Sequence, residues 1–272
     1  MKAGKSARSA RPQTKPFWAH QKASLKVYKS QARVFDASDP GTGKTRVALH
    51  AWYERRAEGG GCMLVLAPRT LLRAAWGTDI EEYFPGVRYS IARAENRDAA
   101  FAVDADIYIT NIDAVKWLAK KPKKFFAKFD TLVIDELTFY KHRTSDRSKA
   151  AAKISDHFHY RAGLTGTPNS QSITDVWHQI YLLDNGKRLG SKFFAFRQAT
   201  CTATQIGPKA EHLSWEDKPG AEMAVANLLN DISIRHEFEK CMDIPPNRER
   251  FMAYEPSAKL MKAYRQMEKE AI

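Results

Sequence analysis

An apolar run, Arg33–Ala37, leads directly into Ser38-Asp39-Pro40-Gly41-Thr42-Gly43-Lys44-Thr45, and beyond it Val47, Ala48, Ala51 and Trp52 recur on one helical face. A buried strand, a glycine-rich turn and a helix start, in that order, leave few folds open. Together they make a cradle for a phosphate group at a helix N-terminus. Glycines let backbone N–H groups approach an anion, and the helix dipole adds positive potential. Lys44 is placed to reach β- and γ-phosphates, and the Thr45 hydroxyl to ligate magnesium. The full loop pattern has glycine where Ser38 stands, so the match is one residue short. The bland alternative is a glycine turn that opens an ordinary helix.

Further apolar runs follow at Cys62–Ala67, Asp106–Thr110, Thr131–Asp135 and Tyr160–Thr165. Helical patterns lie between them, such as Ala151, Ile154 and Phe158 before the last run. Continuous apolar strands alternating with amphipathic helices predict an α/β fold, a mostly parallel sheet with helices on both faces. Ligands of such sheets bind at the carboxyl ends of the strands. Asp135 and Glu136 sit at one of those ends, where burying either carboxylate unpaired is costly. A metal ion or a water network is therefore expected beside them. In a nucleotide site Asp135 holds magnesium and Glu136 orients or deprotonates the attacking water. Alone, an Asp-Glu pair is common and also reads as a helix cap. About 90 residues after a phosphate loop, with strands between, it carries more weight.

Charge narrows the class of partner. Across 272 residues, 44 Lys and Arg oppose 31 Asp and Glu, a formal charge of +13. That surplus favours a polyanion, nucleic acid first and an acidic membrane surface second. No run of about 18 apolar residues exists, so no bilayer span is expected. Cys62, Cys201 and Cys241 are far apart and form no CxxC pair, which fits a reducing, cytoplasmic setting better than a disulfide framework. Residues 1–33 hold nine Lys or Arg and no acid, and 1–16 lack any apolar period, so 1–16 read as a basic flexible tail. That tail is either a plain solvated end or a weak nucleic-acid contact. Lys116, Lys120, Lys121, Lys123, Lys124 and Lys128, interleaved with Trp117, Phe125 and Phe126, read either as a phosphate track or as a solvated face.

From about Gly186 the pattern changes. Gly207, Pro208, Pro219 and Gly220 suggest a loop-rich insertion over 200–220. A helix is expected next, with Val225, Leu228, Leu229 and Ile232 on one face. After Pro245-Pro246 come an expected strand, Glu249–Tyr254, and a last helix from about Pro256 with Leu260, Tyr264 and Met267 aligned.

Taken together, the chain resembles the first RecA-like lobe of a superfamily-two helicase or translocase, of the Snf family of DNA-dependent ATPases, in a short phage or bacterial form. Phe17-Trp18-Ala19-His20-Gln21 resembles the upstream glutamine motif, and Asp39–Thr45 motif I. Leu66-Ala67-Pro68-Arg69-Thr70-Leu71-Leu72, with Trp76 after it, resembles motif Ia, and Ile109-Thr110-Asn111 motif Ib. Asp135-Glu136-Leu137-Thr138 resembles motif II, and Leu164-Thr165-Gly166-Thr167-Pro168 motif III. Asp175-Val176-Trp177 through Asp184, then Leu189-Gly190-Ser191 and Phe193, resemble the Snf segment after motif III. Ile234-Arg235-His236 and Asp243-Ile244-Pro245-Pro246 resemble the stretch that closes that lobe. Two departures from the pattern stand out: Ser38 replaces a glycine, and Leu137-Thr138 replace Ala-His or Ala-Asp.

The resemblance implies a P-loop NTPase lobe over 17–185 and a helical extension with a closing strand and helix over 186–272. It implies ATP and magnesium as cofactors. Gln21 then reads adenine, and Gly41, Thr42, Gly43, Lys44 and Thr45 hold the phosphates. Thr45 and Asp135 hold the metal, and Lys44, Asp135 and Glu136 carry catalysis. Pro68, Arg69, Thr70, Thr110 and Asn111 touch nucleic acid, DNA rather than RNA. Thr165, Gly166 and Thr167 couple the two. It also implies a second RecA-like lobe with arginine fingers, which these 272 residues do not include, and a bacterial or phage-infected cytoplasm. A non-catalytic, ATP-gated binding module is the alternative. A P-loop nucleotide kinase is a third, disfavoured by the Snf-like segment and by the lack of an acceptor-site arginine cluster.

Overall fold

The structure, a computed structural model, describes residues 15–167, 172–209, 212–241 and 252–270. They fall in two compact units, Met1–Met242 and Asp243–Ile272. Almost all of the expected basic tail, Pro168, and the Asp243–Pro246 stretch lie outside the described residues.

In the first unit the strands are β1 (Arg33–Asp36), β2 (Cys62–Ala67), β3 (Tyr89–Ala92), β4 (Ile107–Asn111), β5 (Phe129–Asp135), β6 (Tyr160–Leu164), β7 (Cys201–Gln205), β8 (Leu213–Asp217) and β9 (Ser233–Ile234). Seven of them form one sheet in the order β3-β4-β2-β5-β6-β1-β9, and every neighbouring pair is parallel. The helices are α1 (Ala19–Ser30), α2 (Lys44–Ala57), α3 (Thr78–Tyr83), α4 (Arg97–Ala102), α5 (Val115–Leu118), α6 (Asp146–Ser155), α7 (Thr174–Asp184), α8 (Phe193–Thr200), α9 (Ala221–Leu229) and α10 (Phe238–Cys241). No helix among the described residues is long and apolar enough to cross a membrane.

Side-chain alternation explains why both faces are covered. Along β2, Met63, Val65 and Ala67 join one apolar cluster with Tyr28 of α1, Val47 and Trp52 of α2 and Ile80 of α3. Leu64 and Leu66 join the other, with Ile154 of α6, Leu183 of α7 and Val225 of α9. A strand with two apolar faces is buried on both sides and reads as an unbroken apolar run. Leu189, Phe196, Leu229 and Ile232 belong to the second cluster too, so α8 and α9 share the core of α6 and α7.

Several expectations meet a different outcome. The loop-rich insertion over 200–220 is in part a two-stranded antiparallel hairpin, β7 with β8, whose outer positions are mostly exposed. Edge strand β3 and short β9 carried too few apolar residues to stand out. Leu228 is exposed, and Ile232 is buried beyond the end of α9. The interleaved aromatic residues near Lys116–Lys128 turn inward. Phe126 is buried, and Trp117 stacks on Phe101. Lys121 lies 3.8 Å from the Trp117 ring centre, and Lys128 donates to the Phe101 carbonyl at 3.1 Å. Two of those lysines therefore cover the aromatic core.

In the second unit, α11 (Ala258–Glu270) forms as expected, and its Leu260, Tyr264 and Met267 are exposed. Met252–Tyr254 carry no strand, and the rest of the expected Glu249–Tyr254 strand lies outside the described residues.

Candidate functional site

Strand order brings the motifs to one edge. β6 lies between β5 and β1, and Leu164 is in register with Asp135 on one side and Asp36 on the other. Two carboxylates therefore end neighbouring strands at the same depth. On the far side of β5, Ala67 of β2 is in register with Asn111 of β4. The nucleotide candidates thus sit at the ends of β1, β6 and β5, and the nucleic-acid candidates at the ends of β2 and β4.

The loop after β1 is built by its glycines. Gly41 (φ 84°) and Gly43 (φ 81°) are left-handed, a region other residues seldom adopt. A Cβ on Gly43 would meet Nε2 of Gln21, so a side chain there would push that amide aside. Gln21 is buried, and its amide donates to the Thr42 carbonyl at 3.2 Å, while its carbonyl accepts the Trp18 N–H at 3.3 Å. The glutamine expected to read a base here buttresses the loop. The Thr42 hydroxyl is also used internally, donating to the Asp39 carbonyl at 2.8 Å. Thr45 is half-buried in the first turn of α2.

Lys44 donates to the Ser38 carbonyl and, at 3.2 Å, to the Asp39 carbonyl. Burial lowers its pKa, while Asp36, Asp135, Glu136 and Asp39 act to raise it. Around that ammonium, Asp36, Asp135 and Glu136 all have pKa values raised by burial. The Asp36 carboxylate accepts the Ser38 N–H at 3.1 Å. Asp135 accepts the indole N–H of buried Trp76 at 2.9 Å. Glu136 is half-buried, has a left-handed backbone (φ 57°), and feels the Asp135 charge in addition to burial. Such a conformation costs on the order of 1–3 kcal/mol and concentrates at functional sites.

Three carboxylates facing one ammonium leave an excess of negative charge that a cation relieves. Carboxylate oxygens are hard donors, which suit a hard ion such as magnesium. Among the described residues no three His, Cys, Asp or Glu side chains are arranged to hold a metal by themselves. That fits magnesium sites that use one or two carboxylates together with substrate phosphates.

A segment far along the chain clamps this loop. Arg235, just after β9, pairs with Asp39 at 3.0 Å and donates to the carbonyls of Ala37 and Gly166, the latter at 3.3 Å. The Phe238 N–H donates to the other Asp39 oxygen at 3.0 Å, and its ring lies where a Cβ on Gly41 would go. The His236 N–H donates to the Ser38 hydroxyl at 3.1 Å. Ser38, the departure from the glycine pattern, thus has a job: it ties the start of the loop to the segment just after β9. Leu137, the other departure, packs over Gly163 of β6, where a Cβ would come within 2.3 Å of its Cδ2. The coupling candidates lie against the same loop. The Thr165 N–H donates to the Asp36 carbonyl at 3.0 Å, and the Thr167 N–H to the Thr165 hydroxyl at 3.2 Å. A Cβ on Gly166 would lie 3.1 Å from Pro40.

At the other half of the edge, Arg69 and Thr70 are exposed and Pro68 is half-buried. Asn111 accepts a hydrogen bond from Arg97 at 3.2 Å. Thr110 does not reach the surface. It is fully buried, and its hydroxyl donates to the Ala92 carbonyl of β3 at 2.7 Å, so its side chain is removed from the candidate nucleic-acid contacts. Sequence reading missed Asp36, the Arg235 clamp, and Arg46, whose guanidinium lies 4.4 Å from the ring centres of both Phe17 and Tyr83. An acid inside an apolar strand was a visible signal for Asp36. Ile234-Arg235-His236 stood out as a lobe-closing stretch, but the contacts that Arg235 and Arg46 make join distant segments and gave no signal.

Comparison with known proteins adds an independent line. The family model of the SNF2-related domain matches residues 20–272. Protein p41 of Acyrthosiphon pisum secondary endosymbiont phage 1 is 28% identical over 242 residues, 85% of this chain and 52% of that protein. An uncharacterized ATP-dependent helicase of Mycoplasma genitalium is 26% identical over 150 residues, 52% of this chain and 14% of the relative. The SWI2/SNF2 ATPase core of Sulfolobus solfataricus, solved in complex with dsDNA, superposes with a TM-score of 0.64 at 19% identity, covering 83% of this chain and 45% of that one. The chain spans about half the length of the phage protein and of the archaeal core, and a smaller part of the mycoplasma helicase.

Proposed function

This chain belongs to the SNF2-related domain family, a family of ATPase and helicase domains with a RecA-like fold, and we propose that it is the first motor lobe of an ATP-dependent DNA translocase. The observation that carries the proposal is the charge pattern at the loop. One half-buried ammonium, Lys44, stands against Asp36, Asp135 and Glu136 beside two left-handed glycines. Magnesium bound with ATP would neutralise phosphate charge there. Backbone N–H groups of Gly41 to Lys44 and the Lys44 ammonium would then hold the phosphates. Thr45 and Asp135 would face the metal. Glu136, its pKa raised by burial, would accept a proton from the attacking water, since a base works best with a pKa near the working pH. Gln21, whose amide donates to the Thr42 carbonyl, would give up that bond to read the adenine.

Nucleic acid would lie across Arg69, Thr70 and Asn111, and the Thr165–Thr167 turn would connect it with the loop. DNA is favoured over RNA because the archaeal relative was solved with dsDNA. In this reading the arginines that stabilise the transferring phosphoryl group come from a further RecA-like lobe. Such groups contribute roughly 10³–10⁵ in rate. Residues 1–272 alone would then bind Mg-ATP and turn it over slowly.

Calorimetry tests the central claim. Lys44→Ala removes charge-assisted bonds worth about 1.5–3 kcal/mol each, so ATP affinity should fall at least about tenfold. Equal affinity in the two proteins would refute the site. Brisk DNA-stimulated turnover by the 272 residues alone would refute the need for another lobe.

A further inference from the structure

Oδ2 of Asp135 accepts the indole N–H of Trp76 at 2.9 Å. The Glu136 backbone N–H and the Lys44 ammonium also favour the ionised form of this carboxylate. Trp76 is 0% exposed and packs among Val47, Trp52 and Ile80, so its ring is fixed by the core on the α2 side of the sheet. A phenylalanine would fill most of that volume. What only the indole supplies is a donor aimed at the acid.

The segment that carries Trp76 is unusual as well. Leu72–Gly77 is a six-residue π-helix that begins directly after the Pro68–Leu71 turn, itself closed by Leu71 N–H on the Pro68 carbonyl at 2.9 Å. π-Turns are rare and recur at functional sites. Here the wider winding spans the distance from the exposed Arg69-Thr70 turn to the buried indole that meets Asp135.

We infer that Trp76 is a positioning residue for the metal. Its N–H holds one oxygen of Asp135 and leaves the other turned toward Lys44 and the magnesium position. Because the π-helix joins it to the Arg69-Thr70 turn, nucleic acid bound at that turn acts on the metal through this one hydrogen bond. The inference rests on the nucleotide-site reading above. It gives Trp76, which accompanies motif Ia, a role toward the metal and a route between the two halves of the edge. Groups that orient metal ligands from behind typically alter metal affinity 10–100-fold when removed.

The test uses Mn²⁺ as the probe and ADP as the nucleotide, with free Mn²⁺ read by electron paramagnetic resonance. Trp76→Phe should weaken Mn²⁺ binding to the ADP complex about tenfold while leaving metal-free ADP binding unchanged. A short DNA duplex should shift Mn²⁺ affinity in the native protein and not in the variant. If Trp76→Phe lowers the melting temperature but leaves Mn²⁺ affinity intact, the indole is only core and the inference fails. If the duplex shifts both proteins equally, the route through Trp76 fails. If the native protein binds no Mn²⁺ with ADP, the nucleotide-site reading itself is what fails. Should the variant not fold, the native protein labelled with ¹⁵N-tryptophan decides. The indole resonance displaced by Asp135→Asn must move when Mg²⁺ and ADP are added, and a stationary resonance overturns the inference.

Discussion

At the scale of single residues, the left-handed backbone of Glu136 directs a half-buried carboxylate beside Asp135 and Lys44. Glu136→Gln keeps shape and hydrogen bonding but cannot accept the proton. With both lobes present it should abolish turnover, leaving ATP affinity within about twofold, because only the water-activating step is lost. Phosphate release and calorimetry on the same variant check this, and surviving turnover would exclude Glu136 as the base. Asp79 of α3 offers a cleaner electrostatic test outside the site. Burial, and then the charge of Glu82, push its pKa up to about 6 from 3.8. A folded pKa above the unfolded one means that the folded state holds the proton more tightly. The stability this confers is complete below pH 3.8 and is lost as pH rises through about 6. Asp79→Asn should therefore stabilise the protein by about 1 kcal/mol at pH 7.5, after allowance for solvent screening, and by almost nothing at pH 4. Thermal melts at the two pH values decide, and an equal gain at both would contradict the burial argument. Lys44, Asp135 and Glu136 could be picked out in the sequence because a glycine-rich loop and an acidic pair follow apolar runs about 90 residues apart, and the structure brings their charges together. Thr110 misled for the opposite reason. A hydroxyl beside Asn111 looks available, but its acceptor lies on β3, a strand too short and too mixed in character to be recognised.

Among elements, the parallel core was readable and the edges were not. β2, β4, β5 and β6 are continuous apolar runs because helices cover both faces. β9 has two residues and no pattern, and only its pairing with β1 makes it a strand. The hairpin was hidden by Gly207 and Pro208, which mark the turn but say nothing of the ladder beside it. β9 nevertheless delivers Arg235 to the loop, where the guanidinium bridges Asp39, Ala37 and Gly166. Arg235→Ala and Asp39→Ala should not be additive in urea denaturation. A coupling of about 0.5–1 kcal/mol is expected for a partly exposed pair held in a fixed network. Additive losses would show that the clamp is incidental to stability.

For the whole molecule, a charge of +13 with exposed Arg69 at the sheet edge predicts binding driven by phosphate neutralisation. The logarithm of the affinity for a DNA duplex should fall linearly with the logarithm of salt concentration, with little preference among sequences. Fluorescence anisotropy across a salt series measures this, and a flat response would point to recognition by shape or base contacts. Composition gave that expectation, whereas the division of the edge between the nucleotide candidates and the nucleic-acid candidates came only from strand order. The same order governs how the protein is made. Ser38 and the segment that clamps it are 198 residues apart, and both neighbours of β1 come late in the chain. At 5–20 residues per second, a ribosome needs roughly 10–40 s between the two. During that interval β2, β4 and β5 can already pair, while β1 waits as an open edge, a hazard for wrong pairing. The nascent chain therefore lacks the segment that clamps the loop after β1 until β9, the last parallel strand among the described residues, has emerged.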